Sequence, residues 1–158
     1  MKAEPTREHA WLQKLAGNWE AEMECVMGPD QPPMKSKGLE SVRSIGGLWT
    51  VGEGKGDAPD GTPVMSIMTL GYDPQRQRFV GTFIASMMTH MWRYEGMLEG
   101  DTLTLDTEGP AFDGEPGKMT RYQDIISFKN DDHRVLTSRM LGDDGTWTEF
   151  MSADYRRK

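Results

Sequence analysis

Few residues in this chain have the types and spacing that chemistry requires. Ser86, Met88, His90, Trp92 and Tyr94 recur at intervals of two, which on a β-strand puts all five side chains on one face. A histidine on such a face can donate to a ligand or coordinate one. The same spacing also fits an outer face, or a ring satisfied by a neighbour, and the residues leave these readings open. Glu149 shares parity with Trp147, Met151, Ala153 and Tyr155. If that set points inward, its carboxyl is enclosed and could act as a general base; Thr148, Phe150 and Ser152 are the competing inner set. His133 lies beside Asp131 and Asp132 and reads as a solvated turn residue, and His9 reads as a surface or capping residue of a helix.

Other chemistries lack their patterns. Three scattered histidines and the single Cys25 show none of the short paired spacings of a zinc site, so no metal is expected. There is no Gly-x-Ser-x-Gly elbow, and nothing next to Cys25 in the chain lowers its pKa. Gly52-Glu53-Gly54-Lys55-Gly56 departs from the phosphate-loop pattern and reads as a mobile hairpin. Asp57 to Gly61 and Asp143-Asp144-Gly145 lack the alternating acids of a calcium loop and read as turns. Glu20, Glu22 and Glu24 share a strand face that is expected to meet water.

The elements that must position these residues are mostly strands. Thr6 is placed to cap a short helix that ends at Gly17. From Trp19 the period becomes two, with Trp19, Ala21, Met23, Cys25 and Met27 on one side. Strands are expected near 35–45, 48–54, 64–71, 78–87, 89–98, 102–108, 118–128, 133–141 and 146–156, separated by turn-forming runs such as Gly46-Gly47 and Gly142-Asp143-Asp144-Gly145. Links this short impose antiparallel order, and closure would remove the exposed edges. The expected fold is all-β: a single antiparallel up-and-down β-barrel of about ten strands with a short N-terminal helix. It forms one domain over residues 1–158, with the helix at about 6–16 and the barrel at about 17–157.

A formal net charge of −7 opposes a nucleic-acid partner. No apolar run approaches the roughly 20 residues of a spanning helix, so no membrane partner is expected. One cysteine and a polar first stretch point to the cytoplasm. Thirteen methionines and five tryptophans suit either ordinary core filling or an adaptable apolar cavity with one polar end.

Glu8-His9-Ala10-Trp11-Leu12, Leu15-Ala16-Gly17-Asn18-Trp19, Gly46-Gly47-Leu48-Trp49, Leu70-Gly71-Tyr72-Asp73-Pro74, Ser86-Met87-Met88-Thr89-His90 and Tyr155-Arg156-Arg157-Lys158 together resemble the bacterial family called domain of unknown function 1579. The resemblance spans nearly the whole chain. It implies a calycin-like barrel with a general ligand-binding habit, and the Gly-x-Trp at residues 17–19 is similar to the lipocalin signature. By that analogy Trp19 closes the barrel floor against Arg156 or Arg157, as a structural cation–π contact.

The leading expectation is a non-enzymatic barrel that binds a small apolar or amphipathic ligand in its interior, with no cofactor. Trp49, Phe83, Met88, Trp92 and Met151 would supply apolar walls, and Ser86, His90, Tyr122 and Glu149 would orient a polar group. Because both faces of several strands are partly apolar, some of these residues could instead meet a homodimer partner. The alternatives are a haem-binding barrel similar to nitrobindins with His90 as iron ligand, an enzyme using Glu149 or His90 as base, or a structural, partner-binding barrel with a filled interior.

Overall fold

A computed structural model describes residues 1–26, 28, 30–58, 60–112 and 115–158. Met27, which the strand pattern includes, and Pro29 and Pro59 of the expected turns lie outside the described residues. A helix, α1 (Arg7–Leu12), runs into a 3₁₀ turn (Gln13–Leu15). Ten strands follow: β1 (Gly17–Cys25), β2 (Met34–Ile45), β3 (Trp49–Asp57), β4 (Pro63–Asp73), β5 (Arg78–Ala85), β6 (Trp92–Glu99), β7 (Thr102–Pro110), β8 (Met119–Asn130), β9 (His133–Leu141) and β10 (Trp147–Arg157). Each pairs antiparallel with its neighbours in sequence, and β1 pairs with β10 to close the barrel. Among the described residues no helix is long and apolar enough to cross a membrane.

The expected strands are present with shifted ends, and two differences matter. The glycine-rich run 52–56 is regular strand inside β3, not a hairpin, because Gly52 to Gly56 stay in register with Val42 to Gly38 of β2 and Met68 to Val64 of β4. Residues 86–91 belong to no strand. They form a turn in which the Ser86 amide donates to the Met65 carbonyl (2.8 Å) and the Met88 amide to the Ala85 carbonyl (3.2 Å). That turn breaks the two-residue alternation, so of the five residues around His90 only Trp92 and Tyr94 share a strand face.

Alternation sorts the rest. In β1, Trp19 and Ala21 are buried while Glu20, Glu22 and Glu24 are exposed, as the glutamates' spacing requires. The helix seals one end of the barrel. Thr6 caps it in a reciprocal box with His9, whose Nδ1 bonds Thr6 and whose Nε2 contacts the Tyr72 carbonyl at 3.0 Å. His9 is therefore buried rather than on the surface. Trp11 packs edge-on against Phe79 and Phe128, and its indole donates to Asp101. Gly17 adopts φ +131, which a side-chain-bearing residue resists, and a Cβ there would meet the Arg157 guanidinium at 2.5 Å.

Trp19 is fully buried at this floor, and its indole donates to the Leu15 carbonyl at 2.9 Å. The Arg157 guanidinium lies 4.2 Å from its ring centroid and donates to the Ala16 and Lys14 carbonyls. Of the two candidate arginines it is Arg157 that closes the floor. A second guanidinium, Arg134, lies 4.6 Å from the same ring. Replacing Trp19 by Ala should destabilise by about 3 to 5 kcal/mol in urea unfolding, the usual range for emptying a buried aromatic site. A loss under about 1 kcal/mol would separate the floor from the stability of the barrel.

Candidate functional site

Inward-facing side chains above the floor form two layers. The lower one is polar. Asp124, on β8 between inward Tyr122 and Ile126, receives the Tyr94 hydroxyl on one oxygen and the Ser138 hydroxyl on the other, the latter at 2.6 Å. Burial pushes the Asp124 carboxyl above its ordinary range, and the two donated hydrogen bonds offset that only in part. Burial, and then the charge of Asp124, push the Tyr94 hydroxyl well up, and burial does the same for Tyr155. Glu40 of β2 pairs with the Arg134 guanidinium, which also lies 4.0 Å from the Tyr155 ring centroid. Gly52 makes room for this pair, since a Cβ there would meet a Glu40 carboxylate oxygen at 3.1 Å. Two buried polar atoms of the layer, the Thr107 hydroxyl oxygen and Arg134 Nε, have no protein hydrogen-bond partner.

The upper layer surrounds the end opposite the helix. Met23, Met68, Phe83, Trp92 and Met151 all pack against the core yet keep partial exposure. By register they point inward: Met68 is opposite Phe83, and Phe83 is opposite Trp92. The Trp92 ring lies against the β7 backbone, where a Cβ on Gly109 would meet it at 2.2 Å. Tyr122, Phe112 and Phe150 join Trp92 in edge-on contacts, with ring centroids 5.0 Å apart for Trp92–Tyr122 and 5.1 Å for Phe112–Phe150. One side of the mouth is aromatic. The facing wall carries Gly54 and Gly56 of β3 with Ser36 and Ser66, and so has little side-chain bulk.

The structure brings Phe83, Trp92 and Tyr122 together with Met151 in the same layer, sets Met88 and His90 against Trp92 at the rim, and separates Ser86, Trp49 and Glu149. Met88 lies at the rim, its sulfur accepting the Trp92 indole N–H at 2.9 Å. His90 is beside it, its ring edge-on to Trp92 at 4.8 Å and its Nε2 2.9 Å from the Glu108 carbonyl. With that nitrogen committed to the backbone, the arrangement does not fit an axial haem bond through Nε2. Ser86 is exposed in the turn, where its hydroxyl accepts the Met65 amide. Trp49 points outward, 44 % exposed, because Thr50 takes the inner face of β3; its ring lies over Gly71 of β4. Glu149 is exposed on the outer face, opposite Arg139. A bulge between Glu149 and Met151 inverts the alternation in β10, so the parity linking Glu149 to Met151 does not hold. An enclosed base at Glu149 is thereby excluded.

Asp124, Ser138, Glu40, Arg134 and Thr107 were not singled out from the sequence. The signal was available for Asp124, which alternates with Tyr122, Ile126 and Phe128, and for Arg134, which alternates with Leu136. A charged residue in step with an apolar series marks either an outer face or a buried polar site.

A family model described as "Protein of unknown function (DUF1579)" matches residues 4–157. No curated protein sequence matches the chain. Among solved structures the chain is similar to Rv2717c from M. tuberculosis, at 15% identity and a TM-score of 0.63, covering 98% of this chain and 99% of that one. It is also similar to the S-type phycobiliprotein lyase CPES from Guillardia theta, at 12% identity and a TM-score of 0.64, over 97% of this chain and 93% of that one. A de novo designed fluorescence-activating β-barrel matches at 17% identity and a TM-score of 0.51, over 93% of this chain and 96% of that one. At these identities the likeness is one of fold.

The raised Asp124 carboxyl sets a direction for stability against pH. With its folded pKa above the unfolded one, Asp124 favours the native state at acid pH, and this contribution is lost as pH rises through the folded value. Asp124→Asn keeps a hydrogen-bonding amide without the charge, so its stability relative to wild type should rise as pH increases from about 4, the ordinary carboxylate value, read by thermal unfolding. Asp124→Ala should instead cost about 1 to 3 kcal/mol by stranding the Tyr94 and Ser138 hydroxyls. A pH-independent difference between wild type and Asp124→Asn would place an ordinary, ionised carboxylate in the barrel.

Proposed function

The chain belongs to the DUF1579 family, and on that premise we propose that it is a non-enzymatic barrel that holds a small apolar or amphipathic ligand in the mouth opposite the helix. One observation carries the reading. Met23, Met68, Phe83, Trp92 and Met151 point inward from five strands and still meet solvent, so the apolar wall keeps accessible surface at that end. Apolar surface of this kind gains about 25 cal/mol for each Å² that a ligand removes from water. Methionine thioethers let the wall adapt in shape, and the Trp92, Tyr122 and Phe150 rings offer a rigid face to stack on. The polar layer beneath gives the ligand a direction, with its apolar part upward and a polar end downward.

Residues from both groups of the sequence expectation remain in this proposal. Phe83, Trp92 and Met151 are wall, Met88 and His90 are rim, and Tyr122 spans wall and rim. The similar folds support the reading to the extent that one of them, the designed barrel, is described as fluorescence-activating. The lone cysteine and net acidic charge favour a cytoplasmic setting and a small molecule rather than nucleic acid as partner.

Titration with Nile red, a neutral apolar dye, tests the proposal. Saturable binding with a blue-shifted dye emission and loss of tryptophan emission is the expected result. Gly109→Ala pushes against the Trp92 ring and should weaken the dye about tenfold while the fold is kept. A folded protein, with its thermal transition intact, that takes up no Nile red would leave the mouth as ordinary packing.

A further inference from the structure

The polar layer says what kind of polar end the ligand carries, an inference that rests on the reading of the mouth as a ligand site. Above the floor, the inner faces of the ten strands hold three carboxyl or guanidinium side chains among the described residues: Arg134, Glu40 and Asp124. Arg134 is the one cation, and it is taken. Its side chain is 4% exposed, its terminal nitrogen is bonded to Glu40, and both the Trp19 and Tyr155 rings lie against its guanidinium. Asp124 adds an acid without a cation of its own, its oxygens occupied by the Tyr94 and Ser138 hydroxyls.

A carboxylate entering this layer would meet two acids and a single cation whose charge Glu40 already matches, although its Nε has no protein partner, at a depth where little water remains to solvate it. Burying such a charge unpaired is strongly unfavourable. An uncharged polar end meets a different environment. Thr107, on β7 opposite Tyr122 and one ladder step from Asp124, is 9% exposed, and its hydroxyl oxygen is buried without a protein partner. A threonine hydroxyl both donates and accepts, and a buried one left alone costs free energy that a ligand hydroxyl would recover.

We propose that the barrel selects ligands with an uncharged hydroxyl end, received by the Thr107 hydroxyl, and that the Glu40–Arg134 pair and Asp124 turn away carboxylates. Trp92 and Phe83 then flank the apolar remainder above it. The layer thus acts as a charge filter as well as an anchor.

Displacement of Nile red by dodecan-1-ol below its solubility limit, and by dodecanoate and dodecylammonium below their micelle concentrations, tests this on the intact protein. The alcohol should displace the dye at roughly tenfold lower concentration than the carboxylate. Thr107→Val, which keeps the side-chain shape, should shrink that advantage to within about threefold, each displacement being referred to the variant's own Nile red affinity, while the thermal transition holds because no protein partner is lost. Asp124→Asn should improve dodecanoate relative to the wild type. Dodecanoate equal to or better than the alcohol on wild type, or an alcohol advantage untouched in Thr107→Val, overturns the proposal. Tighter binding of dodecylammonium than of the alcohol does so as well, in favour of a cationic end. Failure of Nile red itself to bind overturns the mouth reading, and is distinguished from these outcomes by the absence of any dye signal to displace.

Discussion

An indole held between two guanidinium groups organises this molecule. Arg157 and Arg134 lie 4.2 and 4.6 Å from the Trp19 ring centroid, and each does a second job. Arg157 donates to the carbonyls at the end of the 3₁₀ turn, fixing the helical plug under the barrel. Arg134 reaches Glu40, tying β9 to β2 across the strands between them. Each cation–π contact is worth only about 0.5 to 2 kcal/mol, so the importance lies in the position rather than the strength. Trp19 is also where β1 meets β10, in direct register with Arg157, so barrel closure, plug and polar layer converge on one side chain.

From that point the interior is graded. Aromatic and aliphatic side chains fill the floor, hydrogen-bonded acids and hydroxyls occupy the middle, and methionines with aromatic rings line the open end. The middle layer is an unusual use of space in a barrel this small, since each buried polar group must be satisfied or it weakens the fold. Most are, and the Thr107 hydroxyl is an exception. A polar atom left unmatched in a largely matched layer is more informative than the apolar wall above it, because apolar walls arise wherever a core does.

Much of the architecture was legible in the residues. Alternation from Trp19 onward, turn-forming pairs such as Gly46-Gly47 and the short links between strands contain the antiparallel barrel, and the floor tryptophan could be named with its arginine narrowed to two neighbours. The site was read less well, and for Glu149 and the residues around His90 the reason is one and physical. Parity arguments hold only while the ladder is regular. The bulge in β10 reverses the faces beyond Met151 and sends Glu149 to solvent, and the turn at 86–91 takes Ser86, Met88 and His90 out of the strand whose parity they were to share with Trp92. Neither irregularity leaves a mark such as a glycine or proline at the break. Where ladders are regular, as in β8 from Tyr122 to Phe128, the inward acid Asp124 was visible as a carboxylate alternating with aromatic and aliphatic residues.

The pairing of the first strand with the last also governs how the chain becomes a barrel. The Arg157–Ala16 hydrogen bond joins residues 141 apart in sequence, and the ladder around it spans comparable distances. Hairpins from β2 to β9 can form as each emerges from the ribosome, but β1 has just one of its two neighbours until β10 has been made. Non-local pairing of this kind slows folding, and throughout that interval one edge of β1 stays open to other chains. Glu20, Glu22 and Glu24 lie along that strand, exposed and like-charged. During synthesis their repulsion would discourage two nascent chains from pairing through β1 before its own partner arrives.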